Sequence, residues 1–246
     1  MVKLLELRKT IQLLNASQKK LEEYAAQMKA FAHLASHDLK EPARMVNNFM
    51  TQLENNYANQ LDDKAKKFIN FAADGARRMT LLIDDLLSYS TVEASGIVKE
   101  KINAASLLTE VVALLSGVIN EKNAIVSWGT LPVITAPVMS IKLIFQNLIS
   151  NALKYQAAGI QPIVTVSYIE METHWQFEIK DNGIGIDEVH QEEIFQLFKR
   201  LHTKPEYPGT GMGLATCKKI VDLLGGLIWV KTADGGGSIF IFTVEK

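Results

Sequence analysis

From Leu4 to Leu53, apolar side chains recur at alternating three- and four-residue steps. With Leu4 at heptad position a, the a positions are Leu4, Ile11, Gln18, Ala25, Ala32, Leu39, Val46 and Leu53. The d positions are Leu7, Leu14, Leu21, Met28, Ala35, Pro42 and Phe49, so only Gln18 and Pro42 interrupt the seam. A 3.5-residue repeat held that long needs another helix to cover it, which confines the segment to a coiled coil or a helical bundle. At 1.5 Å per residue such a helix is about 75 Å long. Its first stop is Asn55-Asn56-Tyr57-Ala58-Asn59.

A second helical seam follows, through Leu61, Ala65, Phe68, Ala72, Gly75, Met79, Leu82 and Leu86. The connection between the two seams is short, so the helices are expected to run antiparallel. Two such helices bury little by themselves. The expected completion is a second copy of the chain, giving a homodimeric four-helix bundle.

The remainder has a different character. Residues 1–96 hold two of the fifteen glycines and one of the six prolines, and all three tryptophans lie beyond them. The pattern there predicts strands over 97–102, 124–128, 132–136, 162–170, 174–180, 227–232 and 238–244, with helices over 104–115, 138–155 and 213–224. That is a mixed sheet with helices on one face, an α/β sandwich. An irregular stretch of about twenty residues from Asp187 to Gly209 fits a lid or functional loop. Within it Phe195 and Phe198 are the expected anchors, and Arg200 and Lys204 the groups placed to reach a ligand. The 246 residues therefore divide into 1–30, a coiled-coil helix, 31–96, a helical hairpin, and 97–246, the α/β domain.

Composition removes several classes. A net charge of −1 gives no basis for a whole-protein binder of nucleic acid. The single cysteine, Cys217, excludes an internal disulfide framework and a four-cysteine zinc site, and reads as a small core residue. No apolar run reaches the roughly 18 residues of a transmembrane helix. Met1-Val2-Lys3-Leu4-Leu5-Glu6 lacks the pattern of a signal peptide, so a cytoplasmic setting is expected.

Four constellations carry chemistry. In Ser36-His37-Asp38-Leu39-Lys40-Glu41-Pro42 the register puts His37 at an f position, away from the seam, beside a carboxylate that can hold one ring nitrogen protonated and leave the other nucleophilic. Pro42 breaks a helical hydrogen bond one turn later. In the run Asn147–Tyr155, Asn147 and Asn151 are i and i+4 and share a helix face with Lys154 close by. Amide oxygens of this kind can ligate a magnesium ion that bridges phosphates. Asp181-Asn182-Gly183-Ile184-Gly185 places a carboxylate at a strand end among glycines, where it can accept from an exocyclic amine. Gly209-Thr210-Gly211-Met212-Gly213-Leu214 opens a helix and lets backbone approach phosphates. It lacks the lysine and hydroxyl of a P-loop.

Together and in this order the motifs resemble the sensor histidine kinases of two-component signalling, over nearly the whole chain. The sequence is similar in particular to kinases attached to phytochrome-like and PAS-type sensors. The resemblance implies a dimerisation and phosphotransfer hairpin followed by a catalytic domain of the Bergerat (GHKL) fold. It implies His37 as phosphoacceptor, Asp38 as its acid/base partner, and Asn151 with Asn147 as magnesium ligands. Lys154 would face the phosphates of ATP, Tyr155 the nucleotide, and Asp181 the adenine, with Gly183 and Gly185 shaping that pocket. Gly209, Thr210, Gly211, Gly213 and Leu214 would flank the lid and the phosphates. The implied reaction is attack of His37 on the γ-phosphate, then transfer to an aspartate of a response regulator, with Val92–Lys99 around Gly96 as the hinge.

Two features depart from the pattern. Many relatives carry threonine or asparagine four residues after the histidine, where it positions water for dephosphorylation, and here that residue is Glu41. No sensor segment is recognisable, so the chain is expected to be cut from a larger receptor whose input would travel through the heptad seam. Alternatives of other classes are a non-kinase ATPase of the same fold, disfavoured because Gln146 precedes Asn147 where a water-activating glutamate would stand, and a nucleotide-binding scaffold.

Overall fold

The computed structural model describes residues 19–20, 36, 38–92, 98–201, 207 and 209–246. His37, Gly96, Lys204 and nearly all of the predicted coiled-coil helix lie outside them. The chain separates into two compact units, Met1–Thr91 and Val92–Lys246.

In the first unit, helix α1 is described over 38–57 and helix α2 spans Asp63–Thr91. Pro42 lies inside α1, where its ring cannot donate to the Asp38 carbonyl. The Asp62 carboxylate accepts from the Ala65 amide at 2.7 Å, capping the start of α2. Lys40 of α1 reaches Asp84 of α2 at 2.6 Å, so the helices are antiparallel as expected. The side chains that close this hairpin are not those of the heptad seam. Ser36 and Ala43 on one side and Ala73, Ala76 and Ile83 of α2 on the other are buried, and most of these are small enough for close helix approach. The a and d residues Leu39 and Phe49 are 57% and 60% exposed, and Val46 and Leu53 are exposed with them. On α2 the seam residues Phe68, Met79 and Leu86 are likewise exposed. Each helix thus carries two apolar stripes, and the hairpin uses the narrower one.

The second unit has the order β1 (Glu100–Asn103), α3 (Ala104–Leu114), α4 (Ser116–Glu121), β2 (Ile125–Trp128), β3 (Val133–Ala136), α5 (Val138–Lys154), β4 (Ile163–Glu170), β5 (His174–Asp181), α6 (Gly213–Leu223), β6 (Ile228–Thr232) and β7 (Ser238–Glu245). Two single-turn 3-10 helices, Glu188–His190 and Glu193–Phe195, punctuate the stretch between β5 and α6. The main sheet has the order β2-β4-β5-β7-β6, with β2 parallel to β4 and the other pairs antiparallel. The remaining strands, β1 and β3, form a separate two-stranded sheet in which Ile102 opposes Ile134, both buried. Neither this small sheet nor α4 was expected. The pairing joins residues thirty or more apart in sequence, and α4 continues directly from the end of α3 at Leu115.

Helices α3, α5 and α6 supply the apolar layer against the main sheet. Three rings lie at its centre: Phe145 of α5 meets Phe177 of β5 edge-on at 5.5 Å, and Phe177 stacks on Phe242 of β7 at 5.2 Å. This cluster locks α5 to the two strands that matter most below. The architecture is therefore a helical region followed by an α/β sandwich. No helix among the described residues is long and apolar enough to cross a membrane.

Candidate functional site

The carboxyl end of β5 and the last turns of α5 bound an open cleft that is mainly apolar with a few polar groups, the make-up of a small-molecule site. Asp181 forms its floor and is 6% exposed. Its Oδ1 accepts the amide of Gly183 at 2.8 Å and that of Ser238 at 3.2 Å. Burial pushes the Asp181 carboxyl above its ordinary range, and the two backbone donors pull it partly back. A carboxylate has about four acceptor sites, so two donors leave capacity for a ligand.

The predicted glycines act by close approach. A Cβ on Gly183 would sit 2.3 Å from the Tyr155 carbonyl and 2.9 Å from Asp181 Oδ1, distances no side chain tolerates. This approach lets the Ile184 amide donate to Tyr155 O at 3.1 Å, joining the end of α5 to the loop after β5. Gly211 adopts φ +81°, and its Cβ position is filled by the backbone of Phe198 and Lys199. Two distant parts of the irregular segment are thereby pressed together.

Its lining is mainly apolar, with Ile184, Ile186, Leu214 and Phe240, and it includes two cations, Lys199 and Arg200, together with Asn151 of α5 and Tyr155 just beyond that helix. Lys199 also pairs with Glu193 at 2.6 Å, which holds the Glu193 carboxyl below its usual range. Arg200 donates to the Tyr207 carbonyl at 2.7 Å.

Among the predicted positions, Asn151, Tyr155, Asp181, Gly185 and Leu214 line this one cleft. Others stand behind it. The Asn147 side chain packs on Gly213, 3.1 Å from where a Cβ would lie, and lies near the Cys217 thiol. Cys217 is fully buried, and burial pushes its thiol up to about 12. Asn147 thus braces α6 against α5. Lys154 lies over the Tyr155 ring at 4.1 Å and beside Gly209. Thr210 accepts from the Met212 amide at 3.3 Å. Asp38 is exposed on α1. Phe195 does pack against the core, but Phe198 takes φ +62° and is 58% exposed, so it anchors nothing within this unit.

Ser238 and Phe240 also line the cleft and belong to no sequence motif, while Ile186, Ile194 and Lys199 line it from the motif segment Asp181–Asp187 and the irregular stretch after it, where the sequence assigns them no role. A signal for Ser238 was present: three consecutive glycines, Gly235 to Gly237, stand immediately before β7, and a Cβ on Gly237 would fall 2.1 Å from the Asp181 carbonyl. A magnesium ion bound with phosphates suits the donor set, because Asn151 offers an amide oxygen at the cleft and such an ion keeps most of its ligands as water and phosphate. Among the described residues no group of three or more His, Cys, Asp or Glu could hold a metal alone.

Comparison with known proteins agrees with this geometry. Residues 137–246 match the family described as histidine kinase-, DNA gyrase B-, and HSP90-like ATPase. Cyanobacterial phytochrome A of Nostoc sp. is 42% identical over 224 residues, 91% of this chain but 29% of that protein. The chain thus spans less than a third of that relative. The catalytic domain of histidine kinase ThkA is 30% identical with a TM-score of 0.52, over 60% of this chain and 95% of that one. Full-length ShkA, crystallised with AMPPNP, superposes with a TM-score of 0.65 at 24% identity, covering 87% of this chain and 45% of that one.

Proposed function

The chain belongs to the sensor histidine kinases, and on that premise we propose that it uses ATP to phosphorylate His37 and passes the phosphoryl group to an aspartate of a response regulator. The observation that carries this reading is the buried Asp181 in a cleft whose lining also includes Lys199 and Arg200. An adenine amine can donate to Asp181 while its ring lies between Ile184, Ile186 and Leu214. The triphosphate then points toward the cations and Asn151. ShkA was crystallised with an ATP analogue, which supports the same ligand class here.

Phosphoryl transfer needs in-line positioning and charge neutralisation more than covalent help from the protein. Asn151 would hold a magnesium ion, which offsets charge on the phosphates when bound. Arg200 and Lys199 add positive charge. Lys154 needs only to leave the Tyr155 face to join them. His37, with Asp38 beside it, supplies the nucleophilic nitrogen. Residues 31–96 would form the dimerising and phosphotransfer part, 97–246 the catalytic part, and 1–30 the helix that brings in the signal.

The exposed stripe of Leu39, Val46, Phe49 and Phe68 supports a second copy of the chain as the bundle's other half. Large apolar side chains left uncovered in one stripe mark an interaction surface, and a seam with heptad spacing is matched by an identical seam.

The test is incubation with magnesium and γ-labelled ATP, for the wild type and His37→Gln. Acid-labile, alkali-stable label lost in the variant supports the proposal. Label that persists in the variant overturns His37 as acceptor. Bound ATP without label in the wild type overturns autophosphorylation by this chain.

A further inference from the structure

Tyr207 has no place in the reading above, yet it ties together three parts of the cleft. Its hydroxyl donates to the Gln156 carbonyl at 2.9 Å. Its own carbonyl accepts from Arg200 at 2.7 Å. Its ring lies 5.1 Å from that of Tyr155, whose face also carries the Lys154 ammonium at 4.1 Å. The anchor at Gln156 is firm. That residue is 8% exposed, and its side-chain amide donates to the Ala152 carbonyl at 2.7 Å, back into the last turn of α5.

We infer that Tyr207 is a positioning residue of the nucleotide site, its hydroxyl bond to Gln156 fixing the main-chain carbonyl that holds Arg200 at the cleft. The inference rests on the nucleotide reading of that cleft. An arginine fork with one nitrogen already bonded keeps further donors to offer a phosphate in a set direction. A long side chain without such a hold must be ordered at the moment of binding, and the ligand then binds more weakly. Tyr207 removes that cost in advance. It does so from Gln156, two residues beyond the end of α5, the helix that carries Asn151.

The test uses the full chain with Tyr207→Phe, which keeps the ring and removes one hydrogen bond. ATP affinity measured by calorimetric titration should fall about 3- to 10-fold, the range for one net hydrogen bond. The melting temperature should fall by no more than about 2–4 °C, the cost of one hydrogen bond within the folded protein, and the autophosphorylation rate at saturating ATP should stay within about twofold, because Arg200 itself is retained and only its hold is lost. Arg200→Gln should weaken ATP binding in the wild type and weaken it much less in the Tyr207→Phe background, since the two changes remove one coupled arrangement. Unchanged affinity in Tyr207→Phe, or strictly additive effects, would overturn the inference while leaving the nucleotide site standing. A wild type that binds no ATP would overturn both.

Discussion

Ser238 donates its amide to Asp181 Oδ1 at 3.2 Å across a separation of 57 residues. The bond joins the end of β5 to the start of β7, and it means that the acceptor on the cleft floor is oriented by the sheet itself. The amide of Gly183, in the loop after β5, donates to the same oxygen at 2.8 Å and completes its placement.

Replacing Asp181 by asparagine should separate stability from binding. The raised carboxyl pKa reflects burial of the charged form. A folded pKa above the unfolded value of about 3.9 makes stability full below that value and lost as pH rises through the folded pKa. Asp181→Asn removes this loss and keeps an oxygen for Gly183 and Ser238. It should melt higher than the wild type at pH 7, with the difference vanishing toward pH 4, while ATP affinity falls at least about tenfold. Thermal melts across pH with parallel calorimetric titrations check both halves. A variant that melts lower at pH 7 would contradict the burial argument.

Two glycines should respond in opposite ways to alanine. At Gly183 the new methyl meets the Tyr155 carbonyl, which is backbone and cannot swing aside, so a cost of about 1–3 kcal/mol or more is expected. At Gly117, within α4, nothing lies within 4 Å and alanine should gain about 0.5–1 kcal/mol from reduced chain entropy. Urea midpoints for the two variants give the signs directly.

A charge on the exposed stripe should dissociate the protein without unfolding it. Phe49→Glu and Phe68→Glu place carboxylates at positions that are each 60% exposed. Sedimentation should change from dimer to monomer while the circular dichroism stays helical. A wild type that sediments as a monomer at micromolar concentration would remove the dimeric bundle from the proposal.

Cys217 should be silent toward thiol reagents in the native state. Its thiolate is disfavoured to about 12 by complete burial, and the thiolate is the reactive form. Titration with a disulfide reagent at pH 8 should count no thiol before denaturant is added and one afterwards.

Legibility from sequence followed the range of the interactions. Strands β4, β5 and β7 and helix α5 were visible because alternation and 3.6-residue periodicity are local. Asp181 and Asn151 were visible because their motifs are short. What was not visible depended on contacts between distant segments. The pairing of Ile102 with Ile134, the amide of Ser238 on Asp181, and the turning of Asn147 toward Cys217 all need the folded chain to be known. In the hairpin, the heptad seam and the inner stripe of Ala43, Ala73 and Ala76 lie side by side. Hydrophobic spacing favours the stripe with larger residues, so the one that closes a single chain was overlooked. Phe198 misled for a related reason, since an aromatic beside Phe195 suggests a shared core until its positive φ turns it outward.

The cleft has two ends of unequal construction. Its apolar end is held by sheet hydrogen bonds and by the Phe145–Phe177–Phe242 cluster, whereas its cationic end hangs on a few side-chain bonds from a long connection. An inhibitor confined to the Asp181 end would therefore meet nearly the same surface whatever the connection is doing. Its potency should withstand substitutions at Arg200 that a triphosphate mimic could not, at the expense of selectivity among proteins that share this sheet.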